Sequence, residues 1–392
     1  MIKFNLTPNN AARHKTLCSS LPYLAMTLLC TGTAFGNAGD ATCSIGAEVT
    51  DAAPCTSVEL QPDTTRLTQI KAELRKLPGY ARDEGQTYLT LPEWYLVYSP
   101  AEYATYLKEK PPSGFPYFGS IAQFWGYYGD INDATRGKYP FNFGYHTMIS
   151  VIGTSFTVEN GIKGIYENTI GRVTEWTSSE AMTDEDRYAA NAAQHYVDFI
   201  RIDPWYEYSF AKQALHLWTD TSLVGANMIR KTERKIALTT GYLLTAIYAT
   251  AIKLGTKLAY GDADTEMLTL VQGATPQSIA NEPKISLKRT FDESYSLLSL
   301  PRYEEFRDAV ERLSRKGVRF IEIAGNDNIL ITCVVPATWQ FNMATGAPLF
   351  ERPILTNSLK KRIALRVPVP ALHEVIARLQ NDNIEIEHIY DY

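Results

Sequence analysis

Three carboxylates, Glu159, Glu167 and Glu175, recur at eight-residue intervals through a weakly charged stretch from Phe141 to Trp176. A carboxylate in such surroundings must pair with a cation, meet a ligand or take up a proton, because an isolated charge away from water is costly. Lys163 follows Glu159 at i+4 in the favourable order, which offers a local ion pair. His146 stands about 20 Å from Glu159 along a straight helix, so those two cannot act on one atom. A second concentration sets rings beside acids at Glu93-Trp94-Tyr95, Phe124-Trp125 and Trp205-Tyr206-Glu207. Such groups can floor a pocket for a sugar, a cation or an amphiphile; they serve equally as interhelix packing and helix caps. The ligand-pocket candidates are therefore Glu93, Trp94, Tyr95, Trp125, His146, Glu159, Glu167, Trp205 and Glu207.

No catalytic residue is assigned, since no acid and base pair at a readable spacing and no Gly-x-Ser-x-Gly, P-loop or dinucleotide fingerprint occurs. No metal site or cofactor is expected. The histidines are scattered, and the one Glu-x-x-His, Glu385 to His388, falls on an expected strand where its side chains point to opposite faces.

The elements that must position these residues are mostly helices. Ser150, Thr154, Thr157, Gly161, Gly164, Asn168 and Gly171 recur at alternating steps of four and three, so a helix places them in one stripe of small side chains. Ile149, Val151, Ile152, Phe156, Val158, Ile162 and Ile165 make the same helix apolar nearly all round, as in a large core or in lipid. Its expected partner is a second uncharged run from Ile236 to Ile252, whose Gly241, Thr245 and Ala249 repeat every fourth residue. Arg230, Lys231, Arg234 and Lys235, offset by Glu233, stand before that run and resemble the cytoplasm-facing flank of a membrane helix. Contact with the inner membrane is therefore expected through residues 141–158 and 236–252. Each run is only about 17 residues, so a helical hairpin inside a soluble bundle is the equal alternative.

The fold class expected is α+β: a large mainly α-helical domain followed by a small ferredoxin-like βαββαβ domain. Residues 1–40 read as a signal peptide or N-terminal anchor, because Lys3, Arg13 and Lys15 precede an apolar run ending near Phe35 and small residues follow. Residues 41–82 form a linker and short helix, in which Cys43 and Cys55 are the disulfide candidate for an exported chain. The aromatic-rich helical domain occupies 83–262, with Pro92 and Pro100 each suited to the first turn of a helix and Thr183 a helix cap before Asp184, Glu185 and Asp186. From Trp205 to Asn227, Phe210, Leu215, Trp218 and Leu223 are expected to face inward. After a linker to about Pro283, residues 284–392 supply strand, helix, two strands, strand, helix and strand, with Met343 to Ser358 an inserted loop. In this reading Cys333 belongs to a core strand.

Two resemblances add to this. Residues 362–392, RIALRVPVPALHEVIARLQNDNIEIEHIYDY, resemble half of an ACT-type regulatory domain, in which a helix follows a strand at once and the last strand opens on a similar Asn-Ile-Glu. The resemblance implies a dimerising or ligand-sensing module; a plain ferredoxin-like appendage is the alternative. Pro368-Val369-Pro370 stands where that family usually has a glycine. The segments LPEWYLVYS, GYHTMISVIGTSFTVENGIKGIYENTIGRVTEW and RKTERK resemble an uncharacterised bacterial envelope-protein family, which implies location but no activity.

A net charge of −5 gives no long-range attraction for nucleic acid, and none is expected as a partner. The expected function is an exported or membrane-associated envelope protein, periplasmic or at the inner membrane, with a non-catalytic binding or scaffolding role. A homo-oligomer or protein partner is expected through the C-terminal domain. The alternative is an enzyme with an aromatic and carboxylate-lined pocket acting on a small or amphiphilic substrate. Export makes one measurement decisive: terminal sequencing of the mature protein should find a start between Gly36 and Thr42, whereas Met1 intact in a washed membrane fraction would establish the retained anchor.

Overall fold

A computed structural model describes residues 61–259, 265–282 and 284–390. Cys43, Cys55 and the targeting segment lie outside those residues. The most enclosed helix is α2 (Glu84–Leu107), which follows α1 (Gln61–Leu74) and starts where the Asp83 side chain accepts from the Gly85 amide. It buries Tyr88, Leu89, Leu91, Trp94, Tyr95, Val97 and Tyr98, side chains from every side of the cylinder. Pro92 and Pro100 lie inside it and begin no new helix. Each proline removes one backbone donor, and burial of the surrounding aromatics outweighs that loss.

Around α2 stand α3 (Tyr117–Thr135), α4 (Phe143–Tyr166, continuing through a π turn at Glu167–Gly171 into Arg172–Glu175) and α5 (Asp184–Ile200). The Thr183 hydroxyl caps α5 by accepting from the Asp186 amide, and the Asp186 carboxylate accepts from the Thr183 amide in return. α6 (Phe210–Asp220) packs along α7 (Met228–Ala259). The side chains of α6 that turn inward are Phe210, Ala214 and Leu217, whereas Leu215, Trp218 and Leu223 are exposed, contrary to the sequence expectation. α4 and α7 run antiparallel, since Ser155 meets Tyr248 and Glu167 meets Arg234.

The small-residue stripe on α4 does not receive α7 at Gly161, and only at Gly171 does α7 reach it, through Arg230 and Arg234. A Cβ at Gly161 or Gly241 would meet nothing within 4 Å, whereas one at Gly164 would meet Tyr117 and Phe118, and one at Gly153 would strike Phe124 and Trp125. The close neighbour of α4 is thus α3. On the opposite side of α4, Val151, Val158, Ile162 and Ile165 face solvent. Bulky rings from α3 hold the helix on one side, and among the described residues the other side is exposed.

The C-terminal part is built from antiparallel sheets with two long helices and a single helical turn at Pro276–Ile279. β1 (Glu266–Gln272), β2 (Ser286–Thr290), β3 (Tyr295–Pro301), α8 (Glu304–Arg315) and β4 (Arg319–Ile323) form one sheet in the order β2-β3-β1-β4. β5 (Asn328–Pro336), β6 (Ala347–Ile354), β7 (Asn357–Pro368), α9 (Leu372–Asn381) and β8 (Glu385–Ile389) form the second in the order β6-β7-β5-β8. The two topologies are identical, so the region is a tandem of one strand-strand-strand-helix-strand unit. Where one βαββαβ sheet was expected there are two sheets of four. β1 lies in the stretch read as linker, and β6 in the stretch read as inserted loop. Both are bounded by turn residues that mask short strands; β6 also carries Pro348 and Pro353, tolerated because it is an edge strand.

The repeat extends to side chains. Phe306, Ala309, Val310 and Leu313 of α8 correspond to Leu372, Val375, Ile376 and Leu379 of α9, and all eight are buried in the core between the helices and both sheets. Each helix ends in a left-handed residue, Gly317 or Asn383. The outer face of the first sheet is covered by Ile70 and Leu74 of α1, that of the second by α2.

Gly161→Ala should stabilise the protein by roughly 0.5 to 1 kcal/mol through helix propensity. Gly153→Ala should destabilise it, because the Phe124 ring must move. Thermal melting of both variants reads the two signs. A destabilised Gly161→Ala would mean that the stripe is covered after all.

Candidate functional site

The first turns of α7, Met228 to Ile236, carry five charges, and the helix turns them inward. Arg230, Arg234 and Lys235 are at most 2% exposed, while Ile229 is 63% and Ile236 58% exposed. This is the reverse of a soluble surface helix. The basic cluster read as a cytoplasm-facing membrane flank is instead consumed inside the protein.

Arg234 is the hub. Its Nη1 and Nη2 donate to Glu167 Oε1 and Oε2 at 2.9 and 3.1 Å, and its Nε and Nη2 donate to Glu233 Oε2 and Oε1 at 2.8 and 2.5 Å. Two forked pairings on one guanidinium are the strong form of this bond. Arg230 donates to the Gly171 carbonyl at 2.9 Å, to Glu233 Oε2 at 3.2 Å and to Asp186 Oδ1 at 3.2 Å. The π turn leaves that carbonyl available. Gly171 is required there, because a Cβ would run into the Glu167 carboxylate. Lys231 donates to Asp184 and to the Ser222 carbonyl, and Lys235 to the Thr221 carbonyl, while its ammonium lies 5.0 Å from the Trp218 ring centroid. Fully buried Glu185 faces Lys235 at 3.9 Å.

Burial pushes the Glu167 carboxyl above its ordinary range, and Arg234 offsets only part of that. Burial acts on Glu233 too, but the hydrogen bonds and charge of Arg234, with Tyr166 and Arg230, hold it below the ordinary range. Glu233 accepts from Tyr166 Oη at 2.7 Å and Thr174 Oγ1 at 2.9 Å besides the two arginines. Its lone pairs are all taken.

Outside this network opens a cleft of about 540 Å³ between α4 and α7. Its walls are Ile170, Met228, Ile229 and Ile236, and its polar groups are Tyr166, Thr174, Thr232 and Glu233. Glu233 is the one charged lining residue.

Of the ligand-pocket candidates named from the sequence, only Glu167 belongs to this site. Glu93 accepts from Tyr145 Oη at 2.8 Å within the helical core. Trp94 lies against His388, ring centroids 3.5 Å apart, where α2 covers the second sheet. Tyr95 donates to Gln123 at 3.1 Å, and the Trp125 indole donates to Thr157 at 2.9 Å. His146 stacks on Phe141, with Nδ1 2.9 Å from the Tyr128 hydroxyl, and burial holds its imidazole below the ordinary range. Glu159 makes the i+4 pair with Lys163 at 2.7 Å. Trp205 packs on Tyr248, and Glu207 pairs with Lys253. Cys333 is buried on β5. No group of His, Cys, Asp and Glu among the described residues is placed to hold a metal ion. Arg230, Glu233, Arg234, Asp186, Tyr166 and Thr174 were not site candidates; the available signal was a block of charge flanked by Met228-Ile229 and Ile236, which admits an inward as well as an outward orientation. Comparison with protein-family models, with curated proteins and with solved structures finds no match.

Arg234→Met would leave buried Glu167 without its cation and Glu233 with Arg230 alone, a change that typically costs about 3 to 5 kcal/mol. The Glu167 carboxyl, already held above its ordinary range by burial, would protonate more readily still without Arg234, so the loss should shrink as pH falls through that raised value. Chemical denaturation near neutral pH and at mildly acidic pH reads both effects. An unchanged stability at neutral pH would show that the network is not load-carrying for the fold.

Proposed function

We propose that the protein is a membrane-associated envelope protein with a binding or scaffolding role and no catalysis of its own. The observation that carries this is the inverted polarity of α7 and the apolar surface it shares with α4. From Ile229 to Leu254 the outward positions Ile229, Thr232, Ile236, Thr240, Leu243, Leu244, Ile247 and Leu254 are uncharged, and Val151, Val158, Ile162 and Ile165 of α4 add to them. Large continuous apolar surface is rare on a soluble monomer. Among the described residues one helix segment, Met228–Leu254, has the length and apolar composition to cross a membrane, and 11% of its apolar 18-residue stretch is buried.

The seat proposed is face-on. α6 packs along one side of α7 and α3 along one side of α4, and the exposed apolar side chains of the two helices are proposed to meet lipid. In this reading residues 141–158 and 236–252 contribute to one apolar platform at the inner membrane, and the protein is periplasmic or membrane-associated. The C-terminal tandem is proposed to be built on split βαβ units of the ferredoxin-like kind: β3 and β4 flank β1, both antiparallel to it, with α8 between them, and β7, α9 and β8 repeat this around β5. The ACT-like segment lies in the second unit, and a dimerising or partner-binding role for it is part of the same proposal.

An enzyme acting at a carboxylate-lined pocket is the second reading, supported by Glu233 at the floor of the α4–α7 cleft. A catalytic carboxylate needs a free lone pair for a proton or a substrate, and Glu233 has none; this favours binding over catalysis.

Vesicles of phosphatidylethanolamine and phosphatidylglycerol should carry the purified protein upward in a flotation gradient. Leu243→Glu with Ile247→Glu, both at exposed positions, should leave it at the bottom with its melting temperature unchanged. Wild-type protein that fails to float, or a double variant that floats as well, would sink the proposal.

A further inference from the structure

We propose that a hollow enclosed by α2, α4, α5 and α7 binds a pyranose sugar, free or as the head of an alkyl glycoside. The site lies inside the bundle, separated from the cleft above by the Arg234 network, and it holds whether or not the apolar face meets lipid.

Two matching helix faces border the hollow. On α4, Ile152, Phe156, Glu159, Lys163 and Glu167 follow at steps of four, three, four and four, so they lie along one side of the helix. Arg234, Leu238, Gly241, Thr245 and Ala249 follow at the same steps on α7. Both rows are buried at their ends, at Ile152, Phe156 and Glu167 on α4 and at Arg234 and Ala249 on α7. Between those ends the side chains of Glu159 and Lys163 are 53% and 49% exposed, and Leu238, Gly241 and Thr245 are half-buried. A Cβ at Gly241 would meet nothing within 4 Å. The helices are joined on either side of this stretch, by Glu167 with Arg234 and by Ser155 with Tyr248. Burial is the largest single influence on the Lys163 ammonium and acts downward, while Glu159, Tyr103 and Glu167 together outweigh it and hold the group above its ordinary value. A side chain both crowded by protein and half accessible lies in an enclosed space, not on an outer surface.

Tyr103 of α2 and Tyr196 of α5 supply the remaining walls, with Tyr242 from α7. The charge of Lys163 reaches the Tyr103 hydroxyl, that of Glu159 reaches Tyr196, and Tyr103 in turn influences Tyr242, which sets the three rings around the pair. Little of this polarity is spent. Lys163 Nζ donates to Glu159 Oε1 at 2.7 Å, which leaves two ammonium protons and Glu159 Oε2 unengaged among the described residues. The Tyr103 hydroxyl accepts from Tyr117 at 3.4 Å and keeps its own proton, and the hydroxyls of Tyr196 and Tyr242 form no hydrogen bond among the described residues.

The ligand class follows from charge balance. The pair contributes one charge of each sign in contact, so an anion drawn to Lys163 or a cation drawn to Glu159 also meets a like charge, and a zwitterion meets two. A hydroxyl donates and accepts at once. Adjacent hydroxyls on one ring can therefore take the spare protons of Lys163 and the spare oxygen of Glu159 and leave the pair intact. The tyrosine rings add faces whose negative quadrupole suits the weakly positive C–H side of a sugar ring.

Saturation-transfer NMR of the full chain reads weak binding of this kind. Of the methyl pyranosides of glucose, galactose, mannose and N-acetylglucosamine, at least one should receive saturation, whereas propionate, tetramethylammonium and glycine betaine should not. Gly241→Leu, whose side chain enters open space in the hollow, should weaken the bound pyranoside at least tenfold without lowering the melting temperature. Lys163→Met should weaken it to a similar degree. No transfer to any pyranoside, equal transfer to the ions, or undiminished binding by either variant would overturn the assignment. If the octyl glycoside of the same sugar, below its micellar concentration, binds more tightly than the methyl one and loses that binding in Gly241→Leu, the sugar is the head of an amphiphile; equal binding identifies a free sugar. A chain that binds the pyranoside but does not float with vesicles would lose the lipid reading alone.

Discussion

A guanidinium held out of water persists only if each of its donors and each neighbouring carboxylate is matched, and the pairing of Arg234 with Glu167 and Glu233 imposes that condition on the helical half. Meeting it fixes the distance and rotation between α4 and α7, because a fork of this geometry tolerates little displacement. Arg230 extends the condition to α5 through Asp186, which is simultaneously committed to the Thr183 cap. Three helices are thereby locked by one cluster. A helix has a single circumference, so turning the charges of Arg230, Lys231, Glu233, Arg234 and Lys235 inward leaves Ile229, Ile236 and Ile247 to face outward. The exposed apolar platform is the geometrical consequence of the buried network.

The same economy links the two halves of the chain. Arg362 on β7 is buried among Glu387 at 2.5 Å, Glu102 of α2 at 3.1 Å and Tyr127 of α3 at 3.2 Å, with its guanidinium over the Tyr98 ring. Tyr98, Thr332 and Tyr390 join hydroxyls across the same boundary at 2.9 Å. Each four-stranded sheet needs a cover on the face away from α8 and α9, and the tandem obtains two different ones. Glu322 and His388 occupy equivalent places in β4 and β8, opposite Leu270 and Thr332. Glu322 is met by Tyr80, Lys71 and Arg75, while His388 is met by Trp94. One repeated position has thus been adapted to a charged helix in one unit and an aromatic helix in the other.

Local chemistry was legible in the sequence wherever a residue and its partner lie within one turn: the Thr183 cap, the Glu159–Lys163 pair, and the boundaries of α8 and α9 with their buried i, i+3, i+4 and i+7 positions. Tertiary choices were not. Pro92 and Pro100 read as helix starts because propensity is local, whereas α2 is continuous because the aromatics around it are buried from all sides. The stripe of small residues on α4 fits a close helix neighbour by spacing alone, yet which side is approached depends on where Tyr117 and Phe124 arrive from α3. β1 and the tandem went unseen for a related reason: strand pairing is set between distant residues, and a seven-residue strand between turn residues carries little periodicity. The site shows the limit most clearly. RKTERK has one composition whether its cations face water, lipid headgroups or carboxylates, and only Glu167 and Asp186, contributed by other helices, decide among these.

The burial of charge also bears on what the helical half can do. A saturated carboxylate such as Glu233 cannot move a proton without first losing a partner, and the two arginines among those partners are themselves buried. The network therefore favours a rigid surface over a reactive one. Rigidity continues outward, since α4 is braced by the rings of α3, α3 and α2 hold Arg362, and Arg362 lies in the second sheet. A ligand or bilayer met by the α4–α7 face would be held at a fixed orientation to the C-terminal sheets.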